Sequence, residues 1–514
     1  VVVVIASKGP AALRNAGLPA LFFFLGAGFA AGFPAAPDDA AARSQRAKEL
    51  MSAGRFEEAI PIYKELVAAM PGNPGLLLNL GIAQHMAGHE KEAAPLLEAV
   101  LKQQPRFVPA LLSLGAARLA LRQPEMAVGP LQKAVAAEPG NKDARGMLAD
   151  AMTGAGLHDA AAEQYRQLTA LAPDDPRAWY GLGMAYQAMA GNAFERLQTI
   201  GPKSPYVAAL IADTRVQRRQ YRSAFYFYSE AVKQLPGTHG LHAAVAEVYK
   251  KTGHPGWSAA EAAKEQALAP ADCAAHPAEC RFFAGHDLQA AVLPKTGAAS
   301  AEALYWRAKA ANELSLQALF RLGQLPPSIE LHQLKAEIAR EQGQHPESAK
   351  EWQAALELAP GNTRLLHELA VSYFLAADYK SALTETEKVL KLEPRSAEMN
   401  FTAGDSWLRL EEPEKAVPYL RAALAADPKM RAADASLGLS LSRLGKFAEA
   451  VPHLERAQEL DDDGSLHYQL ARAWQAAGNA QKAQVAMAQY QELQKKNQEQ
   501  KEEAAREAQI VAPN

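Results

Sequence analysis

Only two cysteines, Cys273 and Cys280, occur in 514 residues, which excludes a disulfide-built scaffold, and no Cys-x-x-Cys-His run offers a haem attachment. Aromatic residues make up 7% of the chain against 49% hydrophobic residues in all, so any core must come mainly from Ala and Leu, the composition of closely packed helices. A net charge of −3 gives no field that would gather nucleic acid or an anionic membrane surface. Catalytic signatures are missing as well. There is no Gly-x-Ser-x-Gly elbow, no Gly-x4-Gly-Lys phosphate loop and no His-Glu-x-x-His pair, and the thirteen histidines are dispersed. Neither an enzyme nor a cofactor is expected.

Long apolar runs are lacking too, except at the start. Lys8 and Arg14 precede an uncharged stretch from Ala16 to Phe33, and small residues at Ala30, Ala31 and Ala36 follow. That order is the order of a secretory signal. The stretch is also just long enough to span a bilayer, so residues 1–36 read as a signal peptide or as an N-terminal membrane anchor. Either predicts an exported chain, periplasmic or anchored in the inner membrane. A cytoplasmic scaffold is the alternative should the start of the chain be misassigned.

What is present is a period. Pro71, Pro105, Pro139 and Pro173 stand 34 residues apart, as do Pro236 and Pro270, and again Pro360, Pro394 and Pro428. Gly81, Gly115 and Gly183 keep the same step with Ala149 on the missing rung, and so do Ala59, Ala93, Ala127 and Ala161. Each rung has a physical role. The small residues let two helices approach, glycines such as Gly88 and Gly156 end the first helix, and the proline stops the second. Units begin at 40, 74, 108, 142, 176, 205 and 239, and again at 329, 363, 397, 431 and 464.

The unit at 176 carries Trp179, Leu182, Gly183 and Tyr186 at four signature offsets, and with the ladders it resembles the tetratricopeptide repeat (TPR) family over nearly all of residues 40–497. In its exported setting the chain is similar to bacterial extracytoplasmic members. The resemblance implies an all-α fold, a right-handed α-solenoid of about twelve helical hairpins in two arms, residues 40–272 and 329–497. Residues 273–328 would form an irregular middle, with a degenerate hairpin at 301–324. The unit at 176 is short by about five residues, which predicts a kink around Gly191 to Ser204. Residues 498–514 read as a polar, solvated tail after a mixed-charge helix extension.

Such a family binds other proteins or peptides, usually on the concave face formed by the first helix of each unit. Family offsets place Leu78, Ile82, His85, Leu112, Leu119, Tyr180, Met184 and Gln187 there in the first arm. The second arm offers Arg364, His367, Phe374, Phe401, Asp405, Tyr468 and Arg472. A clamp for a peptide's carboxylate is not expected, because Pro109 and Ser113 stand where Lys and Arg would be needed. Two further features are open to more than one reading. Arg215, Arg218, Arg219 and Arg222 lie beside Tyr221, Phe225, Tyr226, Phe227 and Tyr228, which suits either an anionic polymer such as a polysaccharide or a core with a solvated basic face. Cys273 and Cys280 are too far apart on a continuous helix to bond, but Pro277 interrupts it. A local disulfide, two free thiols, and a metal site with His276 or His286 are the readings there.

Overall fold

A computed structural model describes residues 38–285, 299–507 and 509–513, with side chains for 40–285, 299–502 and 509–513. The candidate leader at 1–36 and His286 lie outside the described residues. Among the described residues all regular structure is helical, and no helix is long and apolar enough to cross a membrane. The helices divide between two compact units.

One unit holds residues up to 193 together with 308–325. Its hairpins are Asp38–Ser52 with Phe56–Ala69, Pro74–Met86 with Glu90–Gln103, Val108–Ala120 with Pro124–Ala137, and Lys142–Gly154 with His158–Leu171. The other holds residues 194–307 and 326 onward. Its hairpins are Pro205–Gln217 with Tyr221–Gln234 and Leu241–Lys251 with Pro255–Gln266, then Ile329–Glu341 with His345–Leu358 and Thr363–Leu375 with Tyr379–Leu392. Ala397–Arg409 with Pro413–Ala426, Arg431–Arg443 with Phe447–Ala457, and Ser465–Ala476 with Ala480–Glu507 complete it.

The proline ladder acts at the joints. In Pro71-Gly72-Asn73 the proline ends one helix, and Asn73 Oδ1 accepts from the backbone N–H of Gly75 at 3.0 Å and Leu76 at 3.2 Å, capping the next. Asn362 repeats this at 3.1 Å from the Arg364 N–H. In three units the carbonyl of the ladder proline is satisfied from the fourth residue of the following unit. Trp179 Nε1 donates to Pro173 O at 2.7 Å, Arg145 Nη2 to Pro139 O at 2.8 Å and Asn400 Nδ2 to Pro394 O at 3.1 Å. Three unlike side chains therefore serve the same backbone acceptor, whereas the units at 74, 108 and 363 carry leucine at that position.

Packing within a hairpin turns on one contact. A Cβ on Gly115 would lie 2.5 Å from Leu131, one on Gly404 2.6 Å from Leu420 and one on Gly438 2.7 Å from Leu454, each leucine sixteen residues further along. Gly183 follows the rule with a distant partner: a Cβ there would lie 2.5 Å from Leu319. Ser315, one turn before Leu319, donates to the Gly183 carbonyl at 2.9 Å in a fully buried setting. The packing face that a second helix gives elsewhere comes here from Ser315 and Leu319. Helix Pro176–Ile200 runs on through Gly191-Asn192, where the shortened unit predicts a kink, because strong helix formers follow and Pro202 comes only afterwards. Likewise residues 301–324 are not a hairpin but one helix, Ala301–Gly323, whose later half supplies the missing packing face.

The tail differs from its reading as well. The helix continues to Glu507, held at its middle by Gln494 and Asn497, which donate to the carbonyls of Asp463 at 2.5 Å and Asp462 at 2.7 Å. Beyond it Ile510 packs into the cluster of Phe225, Tyr228, Val245 and Tyr249.

Candidate functional site

The first helices Pro74–Met86, Val108–Ala120 and Lys142–Gly154 touch in succession in one unit, and Thr363–Leu375, Ala397–Arg409, Arg431–Arg443 and Ser465–Ala476 do so in the other, so each set forms an inner row. In the unit containing 329–507 this row carries a ladder of side-chain contacts from helix to helix. His367 Nε2 lies 3.3 Å from Glu398 Oε2, and the Phe374 and Phe401 rings meet edge to face at 6.3 Å. Ser436 Oγ donates to Asp405 Oδ1 at 2.6 Å, while Arg409 Nε reaches the other oxygen at 3.2 Å. His367, Phe374 and Phe401 are half-buried along this row, whereas Asp405 is buried with both carboxylate oxygens engaged. His367 is held above its ordinary pKa: burial lowers it, but the hydrogen bond and charge of Glu398 outweigh burial. Arg364 is half-buried beside this row, whereas Tyr468 and Arg472 lie on the last first helix, the tyrosine against Tyr490 at 5.5 Å.

The inner row at 74–193 is more apolar. Leu78, Ile82, Leu119, Tyr180 and Met184 are half-buried, and Leu112 is buried. His85 is buried with Nδ1 2.6 Å from Glu90, and among the described residues neither its Nε2 nor the buried Gln187 side-chain oxygen has a hydrogen-bond partner. Such a surface can take apolar side chains and offer a few polar contacts to a bound backbone.

The arginine cluster is largely turned to structural use. Arg215 donates to Gln220 at 2.7 Å, Arg218 pairs with Glu341 at 3.2 Å, and Arg219 occupies the hairpin turn with φ of 57°. Arg222 is exposed. Phe225 and Tyr228, which would have stacked on a ligand, are buried, and the Tyr228 hydroxyl donates to Asp213 at 2.5 Å.

Cys273 and Cys280 are joined by a disulfide, their Cα atoms 5.6 Å apart where the turn before helix Pro277–Phe283 doubles the chain back. Beside it, ligand atoms of His276, Glu279 and Glu302 come within 4.8 Å of one another. Each carboxylate already faces an imidazole: Glu302 lies 2.8 Å from His276 and Glu279 2.7 Å from His239. The Glu302 hydrogen bond raises the His276 pKa, which favours the protonated ring of an ion pair over a metal ligand. Spacing in the sequence had singled out His276 but neither glutamate, because Glu302 comes from a helix more than twenty residues on.

Family models described as tetratricopeptide repeat match residues 50–119, 118–185, 367–431 and 435–463. A stretch of 114 residues is 32% identical to the Hsp70-Hsp90 organizing protein of Triticum aestivum, covering 22% of this chain. That stretch spans only 19% of the wheat protein. Among solved structures, MamA from Desulfovibrio magneticus RS-1 is 26% identical with a TM-score of 0.29, covering 29% of this chain and 85% of that one. YrrB, described as a TPR protein with an unusual peptide-binding site, is 21% identical with a TM-score of 0.28, covering 31% of this chain and 82% of that one. With the ladders, the hairpins and the family models in agreement, residues 50–185, 367–431 and 435–463 are tetratricopeptide repeats, a repeat that builds surfaces for interactions with proteins or peptides.

Proposed function

We propose that this chain is an interaction scaffold of the bacterial cell envelope, exported or anchored by residues 1–36, that docks segments of partner proteins on the inner rows of first helices. The observation that carries the docking surface is the ladder of His367–Glu398, Phe374–Phe401 and Asp405–Ser436 across successive helices. It offers aromatic edges for apolar side chains and the His367–Glu398 pair for the polar groups of a backbone, while the buried Asp405–Ser436 bond ties the helices together. Residues 1–36 and the Cys273–Cys280 disulfide both support an oxidising compartment, since thiols in the cytosol are kept reduced.

A crosslinking pull-down from cells producing the full chain, with N-terminal sequencing of the recovered bait, tests the proposal. A mature N-terminus between Gly28 and Ala40 with envelope proteins as prey supports it. An intact N-terminus in the cytosolic fraction with cytosolic prey overturns the location.

A further inference from the structure

After the polar helix Ala480–Glu507 the chain returns to its own repeats. Between Leu493 and Ile510 the only apolar residues are alanines, and then Ile510 and Val511 follow as a β-branched pair. Residues 509–513 form neither helix nor turn. Ile510 is half-buried against the cluster of Phe225, Tyr228, Val245, Val248 and Tyr249. The Tyr249 hydroxyl donates to the Val511 carbonyl at 2.6 Å. The Val511 side chain itself is 57% exposed, so recognition falls on one side chain and the next carbonyl.

The receiving surface is aromatic. The Tyr249 ring meets Phe225 at 5.2 Å and Trp257 edge-on at 5.6 Å, and Trp257 stacks on His254 at 4.3 Å. Burial, with the charge of Glu261 adding to it, pushes the Tyr249 hydroxyl up to about 12, so it remains a donor at every physiological pH. An apolar contact for one side chain beside a donor for the main chain is how extended peptides are held.

We infer that the cleft at Tyr249 is a docking site for an extended peptide carrying a β-branched aliphatic side chain followed by a free backbone carbonyl, and that residues 509–513 occupy it as a displaceable ligand in cis. The site lies on the hairpins of 205–266 and does not depend on docking along the inner rows. A tethered segment acts at an effective concentration on the order of millimolar, so a free peptide of the same sequence must compete against it.

The test is a fluorescence-anisotropy titration of a labelled peptide of residues 508–513 into the full chain and into its Ile510→Asp variant, with circular dichroism melts confirming that both are folded. The expected result is binding about tenfold tighter to Ile510→Asp, because the competitor in cis is gone. Adding Tyr249→Phe, which keeps the ring and removes the donor, is expected to reduce that gain several-fold. The same peptide carrying Ile510→Asp should not bind. Equal affinity for the parent and Ile510→Asp, binding to neither, or a gain that Tyr249→Phe leaves unchanged would each overturn the inference.

Discussion

At the scale of single residues, the turn between the helices of a hairpin needs one left-handed residue. Gly343 fills it with φ of 70° and Gly445 with 72°, while Ala377 and Glu411, on the same 34-residue ladder, take φ of 59° and 63°. A side chain in that region costs about 1 kcal/mol or somewhat more. Ala377→Gly should therefore stabilise its hairpin by about 1 kcal/mol, and Gly343→Ala should cost about as much, read from urea unfolding midpoints. Asp434 is a second local test. It is fully buried, and its carboxylate accepts from Arg456 Nη2 at 2.7 Å and lies 2.8 Å from His453 Nδ1. Burial raises its pKa, but Arg456 and His453 together bring it below the ordinary value. Its contribution is thus present above the unfolded value of about 3.9 and is lost as pH falls through the lower folded value. Asp434→Asn should lower stability by about 1–3 kcal/mol at pH 7, with the difference from the parent shrinking below about pH 4. The sign is opposite for His367. Its raised pKa means the Glu398 pair helps fully below about pH 6.5 and fades as pH rises through the folded value, so His367→Gln should match the parent only on the alkaline side.

Among the elements, hairpins whose two helices adjoin in sequence were legible residue by residue. The proline, the Asn cap and the glycine facing a leucine sixteen positions on are all local, and each determines a boundary or a contact. The unit at 176 was not legible in the same way, because its second packing helix lies more than a hundred residues downstream. Period counting cannot see a partner that far away. One signal was available: Ser315 and Leu319 keep the four-residue spacing of Ala93 and Leu97 or Ala127 and Leu131. Residues 509–513 escaped for another reason, since the composition around them is polar and a single buried Ile510 does not change it. If helix Ala301–Gly323 completes the unit at 176, Leu319→Ala should cost about 2–4 kcal/mol. Hydrogen exchange should then rise along residues 178–190, not only around 319. Exchange confined to the mutated helix would argue against that pairing.

For the whole molecule, stability is a sum of neighbouring-hairpin contacts, and function follows from which surface those contacts leave available. The glycine–leucine contacts hold the two helices of a hairpin together, and the first helices align so that His367, Phe374 and Phe401 share one face. The central claim is that partners dock on this inner row. The direct measurement is photo-crosslinking in producing cells from a diazirine amino acid placed at Phe374 or Phe401, compared with one at Leu392, which ends the second helix of its hairpin and is 60% exposed. Docking there predicts discrete adducts with envelope proteins from the two inner positions, lost in a background of Glu398→Arg, whose side chain is 59% exposed, and none from Leu392. Adducts from Leu392 alone, or adducts from all three positions that ignore Glu398→Arg, would contradict it.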